Sequence, residues 1–324
     1  MRILFFLLLI FGVLHAKLGE EPDYGQAGSP WFTGPLLCPS SNVIRQGHFG
    51  VEPYLFAFAS TGIYDNGWKA QETSTLWNIN NQTLFGIGIF EWMSCQFTTS
   101  VFWNYSQGVA HWENGDWYAQ CDFQLLQPNQ LSWQWLPSIK FTLRETIPLG
   151  RYRNLNPANF RTDVSGAGSW VTTAALIFGK LIHIKKDHYL SLRSFFSFNI
   201  PAPVQVKGFN AYGGGYKTRG RVFPGVFGVA DLAFEYCISK RWVLAMDLVG
   251  EWSAKNRFSG NRGVGIDGRP ASIGSKASVE YSLAPALEYN WNEHLGIIAG
   301  PWFTVAGKNT IQFFSGVVAL SYYN

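Results

Sequence analysis

The stretch WYAQCDFQLL, residues 117–126, decides the fold of this chain. Apolar side chains occupy its odd positions, and polar side chains occupy the even positions from 120 to 124. An alternation with a period of two predicts a β-strand that has one apolar and one polar face. The apolar face of such a strand points to the core in a soluble protein and to lipid in a transmembrane barrel, so two fold classes are open.

The composition favours a chain that keeps much apolar surface away from water. Aromatic residues make up 17% of the 324 residues and charged residues 14%, whereas roughly 25% are charged in typical soluble domains. The net charge of +4 is too small to favour nucleic acid as a partner. Four cysteines in 324 residues do not make a disulfide framework, and they have no CxxC spacing, so we predict no metal or redox site. We also predict no cofactor. Cys121, on the apolar face, is interpreted as a small hydrophobic residue.

The first residues have the organisation of a secretory signal peptide. Arg2 precedes an apolar run over 3–14, and Ala16 is a small residue at a plausible cleavage point. The run is shorter than the roughly 20 residues that span a bilayer. We therefore predict an exported chain that is cleaved near Ala16. The predicted parts are a signal peptide, an N-terminal periplasmic or plug-like segment and a transmembrane β-barrel, at residues 1–16, 17–47 and 48–324 respectively.

Alternating segments recur along the chain and predict twelve strands. They lie near residues 48–59, 72–88, 93–105, 117–127, 138–147, 168–182, 188–200, 222–238, 241–252, 276–289, 295–306 and 310–323. Short and long connections take turns, with the long ones at 106–116, 148–166, 201–221 and 253–275. This is the plan of outer-membrane barrels, which have an even number of strands in bacteria. The sequence predicts an all-β fold: an antiparallel transmembrane β-barrel of about twelve strands, with short periplasmic turns and long extracellular loops.

The polar faces of the strands carry the candidate site residues. If the polar faces were the water-facing exterior of a soluble protein, they would be rich in lysine, and they are not. Aromatic residues stand at the ends of the apolar faces, as they do in the interfacial girdles of membrane proteins. We therefore expect the apolar faces to meet lipid and the polar faces to line the lumen. The predicted lumen-lining residues are Glu52, Asp122, Lys140, Arg144, Arg193, Asp231, Glu235, Asp247, Glu251, Glu280 and Glu288.

Two interpretations of these lumen charges are open. The eight acids among them could form a cation-preferring constriction, because rings of charged side chains select ions by sign. Alternatively, the acids pair with Lys140, Arg144 and Arg193 and only hold the interior together. Under the first interpretation, replacing Asp247 and Glu251 by alanine is expected to alter conductance or ion preference.

The long loops carry a second group of charged residues, which are basic. Outside the cell they would face lipid-headgroup phosphates or other polyanions, or they are simply solvated charges. The predicted loop basic patch consists of Arg151, Arg153, Lys217, Arg219, Arg221, Arg257 and Arg262.

The sequence contains no constellation that is typical of an enzyme. Outer-membrane phospholipases with twelve strands use a Ser–His pair, and none of the histidines here stands in a recognisable spacing with a serine. We predict no catalytic residues and a protein that is not an enzyme. A membrane-embedded hydrolase is kept as the third hypothesis.

Three segments of the chain resemble a known group of proteins. They are SPWFTGPLLCPS at 29–40, GHFGVEPYLF at 47–56 and TLFGIGIFEWMSCQF at 83–97. They resemble bacterial outer-membrane β-barrels of an uncharacterised group, related to the barrels of meta-cleavage phenol-degradation pathways. The resemblance implies a location in the outer membrane and the passage of small hydrophobic or aromatic compounds. It implies no catalytic residues.

These observations predict a channel or transporter for passive passage of a small molecule through a Gram-negative-type outer membrane. The alternative is a non-conducting surface barrel whose basic loops bind lipopolysaccharide or a partner. The expected partners are outer-membrane lipid, lipopolysaccharide and the outer-membrane assembly machinery, which reads terminal aromatic residues such as Tyr322 and Tyr323. The sequence does not identify the cargo.

Overall fold

A computed structural model describes residues 31–127, 136–185 and 188–324 of the chain. The described residues form an all-β protein with a single turn of 3₁₀-helix at Pro157–Asn159. The strands are β1 (Phe49–Tyr64), β2 (Ala70–Phe90), β3 (Met93–Ser106), β4 (Val109–Asn114), β5 (Trp117–Leu126), β6 (Ser138–Ile147), β7 (Arg153–Leu155), β8 (Val171–Lys185), β9 (His188–Pro201), β10 (Val204–Lys207), β11 (Phe209–Asn210), β12 (Arg219–Phe223), β13 (Phe227–Cys237), β14 (Trp242–Ser253), β15 (Arg257–Asn261), β16 (Ser278–Asn290), β17 (Leu295–Lys308) and β18 (Ile311–Tyr323).

Twelve of these strands close into an antiparallel barrel. β1 pairs with both β18 and β2, and β3 pairs with both β2 and β5, so the ring has no free edge. A closed ring satisfies every backbone donor and acceptor between strands, which a hydrocarbon environment requires. The predicted fold class is confirmed, and the twelve predicted strands correspond to the barrel strands β1, β2, β3, β5, β6, β8, β9, β13, β14, β16, β17 and β18.

The two faces of the wall differ as the opening stretch predicts. In β5 the side chain of Asp122 is completely buried, whereas that of Leu125 is 41% exposed on the outside. The same contrast recurs in β13, where Glu235 is buried and the outward Leu232 is 52% exposed. The apolar faces therefore form the outer surface of the barrel. No helix among the described residues is long and apolar enough to cross a membrane.

The prediction of a long loop at 106–116 is wrong, because most of these residues form β4. β3 and β4 form a tight hairpin around Gln107 and Gly108, which both have positive φ, as two-residue hairpin turns of type I′ require. β4 and β5 act as one strand that is interrupted at 115–116, because β3 pairs with β5 through its first half and with β4 through its second. β4 and the second half of β3 therefore extend the wall beyond the end of β6, which pairs with β5 and not with β4.

The strand predicted at 222–238 is two strands, because Pro224 lacks a backbone N–H and interrupts the ladder. The residues before it form β12, which pairs with β10 and β15. This three-stranded sheet is called the loop sheet below, and its order is β10, β12, β15. In the chain, β10 follows β9, β12 precedes β13 and β15 follows β14, and these three barrel strands are neighbours in the same order. The loop sheet therefore continues that part of the wall above a break.

The loop between β6 and β8 folds over the end of the barrel that carries the long loops. The buried side-chain amide of Asn104, on β3, donates hydrogen bonds to the carbonyls of Thr162 and Val164, both at 2.9 Å. Asp116 accepts a hydrogen bond from the Ala167 N–H at 3.1 Å. Burial raises the pKa of Asp116, and the N–H groups that it accepts from oppose that rise. This loop thus covers the barrel mouth, by which we mean the long-loop end of the lumen.

Candidate functional site: the barrel lumen

One side of the lumen is lined by carboxylates. Five acidic side chains project inward from the neighbouring strands β13, β14 and β16, and this group is called the acidic wall below. Within it, Glu251 of β14 stands directly opposite Glu280 of β16. Glu280 accepts a hydrogen bond from the Thr310 hydroxyl at 2.8 Å. The acidic wall consists of Asp231, Asp247, Glu251, Glu280 and Glu288.

Residues 31–47, called the lumen segment below, are held against the acidic wall. The carboxylate of Asp247 accepts hydrogen bonds from three consecutive backbone N–H groups: Leu36 at 3.0 Å, Leu37 at 3.4 Å and Cys38 at 3.0 Å. Hydrogen bonds to an ionised acceptor are roughly twice as strong as those between neutral groups. Asp247 therefore anchors the segment half-way along β14.

The lumen segment then crosses to the opposite side of the barrel. The Ser41 hydroxyl lies 2.7 Å from the Ser138 hydroxyl on β6, and the Val43 N–H donates to the Gln124 side chain on β5 at 2.9 Å. Beyond these contacts, the Gly47 N–H donates to the Gly88 carbonyl on β2 at 3.0 Å. A side chain at position 88 would stand 1.8 Å from the carbonyl oxygen of Arg45, so only glycine allows this close approach. The segment thus spans the lumen between the two sides.

Other predicted lumen charges form ion pairs inside the barrel. Lys140 Nζ lies 3.6 Å from Asp122 Oδ1, and Arg193 Nη2 lies 3.1 Å from Glu235 Oε2. All four side chains are buried or nearly so. These pairs agree with the interpretation in which lumen charges hold the interior together.

The acidic wall behaves differently from those pairs. Among the described residues, no lysine or arginine forms an ion pair with any of its five carboxylates. Arg144, the remaining predicted base, lies 5.1 Å above the ring of Tyr118, away from the wall. The remaining predicted acid, Glu52, accepts hydrogen bonds from the hydroxyls of Ser321, at 2.8 Å, and Tyr323. Whether the acidic wall lines a path for ions stays a prediction.

An aromatic cluster lines another side of the lumen, on β1, β17 and β18. Trp302 packs edge-to-face on Phe58 and Phe313, with ring centroids 5.4 Å and 5.0 Å apart, and its indole N–H donates to the Ser282 hydroxyl at 2.9 Å. The rings of Phe56 and Phe58 stack at 5.9 Å. We call this group the aromatic wall; its members are Tyr54, Phe56, Phe58, Trp302 and Phe313.

The aromatic wall is the part of the site that the sequence did not reveal. In PYLFAFAS, residues 53–60, apolar residues occupy inward and outward positions alike, so the alternation that identifies a lumen face is absent. Leu36 of the lumen segment is completely buried and packs in one cluster with Phe56 of this wall and Ala284 of β16. The segment therefore fills the space between the aromatic and acidic walls.

The loop sheet brings part of the predicted basic patch together. Its side chains alternate, so one face packs against Tyr152 and Tyr212 and the other is exposed. Because those tyrosines belong to the loops at the barrel mouth, the exposed face looks away from the mouth. The exposed basic side chains of this face are Lys207, Arg219, Arg221 and Arg257.

The other members of the predicted patch lie apart from this face. Arg151 is ion-paired with Glu113 at 3.3 Å and Asp163 at 3.5 Å. Arg153 stacks its guanidinium 5.3 Å from the ring centroid of Tyr152. The two remaining members, Lys217 and Arg262, are exposed in the loops that flank the loop sheet.

The described histidines make structural contacts. The Nδ1 atoms of His188 and His294 lie 3.1 Å and 2.9 Å from the backbone carbonyl oxygens of Cys237 and Tyr323. His111 Nδ1 lies 2.8 Å from the Thr162 hydroxyl. No cluster of three or more histidine, cysteine or acidic side chains that could hold a metal ion occurs in the described parts of the chain.

Comparison with solved structures agrees with this architecture. An outer-membrane channel from Pseudomonas putida F1 aligns with a TM-score of 0.66 and 14% identity, over 88% of this chain and 98% of that chain. The chain has the fold of an outer-membrane β-barrel. The predicted resemblance to outer-membrane barrels is thus confirmed for the fold.

Two further solved structures align more loosely. The β domain of the Bordetella autotransporter BrkA has a TM-score of 0.45 and 8% identity, over 85% of this chain and 98% of that chain. A TodX monoaromatic hydrocarbon channel has a TM-score of 0.43 and 11% identity, over 92% and 96%. No protein-family model and no curated protein matches the sequence.

Proposed function

We propose that the protein is a channel of the outer membrane that lets a small molecule pass passively through its lumen. The observation that carries this proposal is the acidic wall, whose five carboxylates form no ion pair with a basic side chain among the described residues. Buried charges that serve only to hold a structure together are normally paired, because an unpaired charge is costly to bury. A row of unpaired acids along one side of a lumen fits an interior that water and ions enter.

The aromatic wall supports the proposal that the cargo has a hydrophobic or aromatic part. Aromatic rings on one side and carboxylates on another suit a small molecule that has an apolar portion and a polar or positively charged portion. The description of the Pseudomonas putida protein as an outer-membrane channel supports the general role. The lumen segment lies between the two walls, so passage of any cargo requires that it moves or that a path remains beside it.

The test is a conductance measurement in planar bilayers under a salt gradient, with the purified full chain. The informative variant is Glu251→Gln/Glu280→Gln, because this facing pair makes no described contact with the lumen segment. We expect steady channels with a cation preference in the unmodified protein, and a reversal potential closer to zero in the variant. Asp247 is unsuited to this test, because its replacement would also release the segment.

The matched control is Asp267→Asn, which removes an exposed carboxylate from a loop. It should leave the reversal potential unchanged. A silent bilayer from protein shown to be folded would contradict the proposal of an open channel. Channels with no change of ion preference in the double variant would contradict the role given to the acidic wall.

The basic face of the loop sheet favours a second candidate role, the binding of lipopolysaccharide phosphates. The four exposed basic residues lie on the loop sheet, which continues the barrel wall just above Trp252 and Ile200. These two outward side chains are 45% and 53% exposed and mark the end of the apolar belt. We expect the phosphate groups of the outer leaflet at that level, and each basic residue near an anionic membrane surface contributes about 1 kcal/mol of binding.

We expect Arg219→Gln/Arg221→Gln to bind lipopolysaccharide about thirtyfold more weakly, from a loss of about 2 kcal/mol. The measurement is lipopolysaccharide bound per purified barrel as a function of salt. Lys240→Gln/Arg241→Gln, at the short-turn end, is the control and should bind normally. Equal binding by both variants would reject this role and leave the channel proposal untouched.

A further inference from the structure

Cys95 and Cys121 face each other across two adjacent strands. They are directly opposed in the antiparallel ladder between β3 and β5. Their sulfur atoms lie 3.1 Å apart, and both residues are half-buried. The sequence interpretation of Cys121 as a mere small hydrophobic residue overlooked this pairing, because the two cysteines are far apart in the chain and meet only through the register.

The geometry of this pair is compatible with a covalent bond. Directly opposed residues of antiparallel strands have Cα atoms about 4.5–5.5 Å apart, which lies inside the range of about 4.4–6.8 Å found for disulfides. A sulfur–sulfur bond of about 2.05 Å needs a further approach of only about 1 Å.

The surroundings of the pair are mostly apolar, and the described residues supply no cluster of further metal ligands. Both side chains point to the outer face of the barrel, in a groove of about 810 Å³ that Met93, Phe97 and Phe123 also line. No histidine or carboxylate in the described ranges joins the two cysteines in a cluster that could hold a metal ion. The other cysteines, Cys38 and Cys237, are buried. A bond between the two sulfur atoms is therefore the chemistry that this pair of thiols fits.

We propose that Cys95 and Cys121 are joined by a disulfide that forms during export. The thiolate of one cysteine attacks the disulfide of an oxidised thiol–disulfide exchange protein, and a mixed disulfide forms as one donor sulfur leaves. The second cysteine, as its thiolate, then displaces the other donor sulfur. The chain loses two electrons and two protons, and the donor protein is released as a dithiol. The bacterial periplasm, which an exported barrel crosses, is such an oxidising compartment.

The bond forms before the strands enter lipid. A thiolate is the reactive species, and apolar surroundings disfavour it. Once formed, the bond ties β3 to β5 close to the point where β3 exchanges β5 for β4 as its partner, since the β3–β5 ladder covers only 93–98 of β3. The proposal depends on export of the chain and is independent of the proposed channel.

The experiment counts thiols in the full chain purified from outer membranes without reductant. The protein is denatured in detergent and treated with a maleimide reagent that adds a countable mass. We expect two reactive thiols, Cys38 and Cys237, before reduction and four after it. Peptide mass spectrometry should find a linked pair of peptides that contain Cys95 and Cys121. Four reactive thiols before reduction, or a link between any other two cysteines, would overturn the proposal.

The matched variants are Cys95→Ala and Cys38→Ala. The first should raise the count before reduction from two to three, since Cys121 loses its partner, and the second should lower it from two to one. A count of two in Cys95→Ala would overturn the assignment of the pair. If Cys95→Ala does not accumulate as folded protein, the peptide link in the unmodified chain still decides the question.

Discussion

The two walls of the lumen differ in what holds them together. The aromatic wall is a packed cluster in which rings contact each other at centroid distances of 5.0–5.9 Å. The acidic wall has no such internal packing; three of its carboxylates, those of Asp247, Glu280 and Glu288, accept hydrogen bonds from neighbouring backbone N–H, hydroxyl and amide groups. One wall therefore contributes stability through burial, and the other presents charge to whatever occupies the lumen.

This difference teaches that the acidic wall and the aromatic wall serve separate purposes in the same barrel. Substitutions in the aromatic wall should lower stability and leave ion preference unchanged. Substitutions in the acidic wall should change the docking of the lumen segment and the ion preference of the channel, with a smaller effect on the stability of the barrel. The lumen segment lies between both walls, so it is the element on which the comparison can be tested most strongly.

The largest expected effect comes from Asp247→Ala. The change leaves three backbone N–H groups of the lumen segment without their carboxylate, and we expect a loss of about 3–4 kcal/mol of docking free energy. The measurement is the rate at which a membrane-impermeant maleimide modifies Cys38, in a chain whose other three cysteines are alanine. The rate should rise about a hundredfold or more, which is the equivalent of that free energy.

Glu251→Ala is the matched control for this change, because Glu251 belongs to the same wall and makes no described hydrogen bond to the segment. It should leave the modification rate of Cys38 unchanged. Equal rates in Asp247→Ala and the parent chain would show that the segment is held by its apolar contacts at Leu36 and not by the carboxylate.

Trp302→Ala should have the next largest effect. It removes the ring that joins Phe58 and Phe313, and we expect the free energy of unfolding to fall by about 3 kcal/mol. Denaturant unfolding in detergent measures this loss, and the reversal potential in bilayers should stay unchanged. A shifted ion preference without a loss of stability would reverse the roles assigned to the two walls.

Ser282→Ala should have the smallest effect of the three. Ser282 contributes the acceptor for the Trp302 indole N–H, and we expect its loss to cost about 1 kcal/mol. Trp302→Phe, which removes the donor and keeps a ring, is the companion variant. A double-mutant cycle between Ser282 and Trp302 separates the hydrogen bond from the packing; an interaction energy near zero would mean that ring contacts alone fix the indole.

Several elements could be predicted from the sequence because their pattern is local. The alternation in β5 identifies the strand, its lumen face and, with the other strands, the closed barrel. The sequence predicts β1 as a strand and Glu52 on its lumen face, but it does not predict that aromatic residues fill the rest of that face, since apolar residues stand on both sides of the strand. The hairpin at Gln107 and Gly108 was mistaken for a loop, because β4 alternates too briefly to be distinguished from its surroundings.

The sequence by itself determined the strand count, the apolar exterior and the acidic character of part of the lumen, since a side-chain period of two is set by backbone geometry alone. Only the tertiary structure decided which acids are paired, where the lumen segment lies and that Cys95 meets Cys121. Those contacts join residues that are distant in the chain. They depend on the register of strand pairing around a closed ring, which no local pattern specifies.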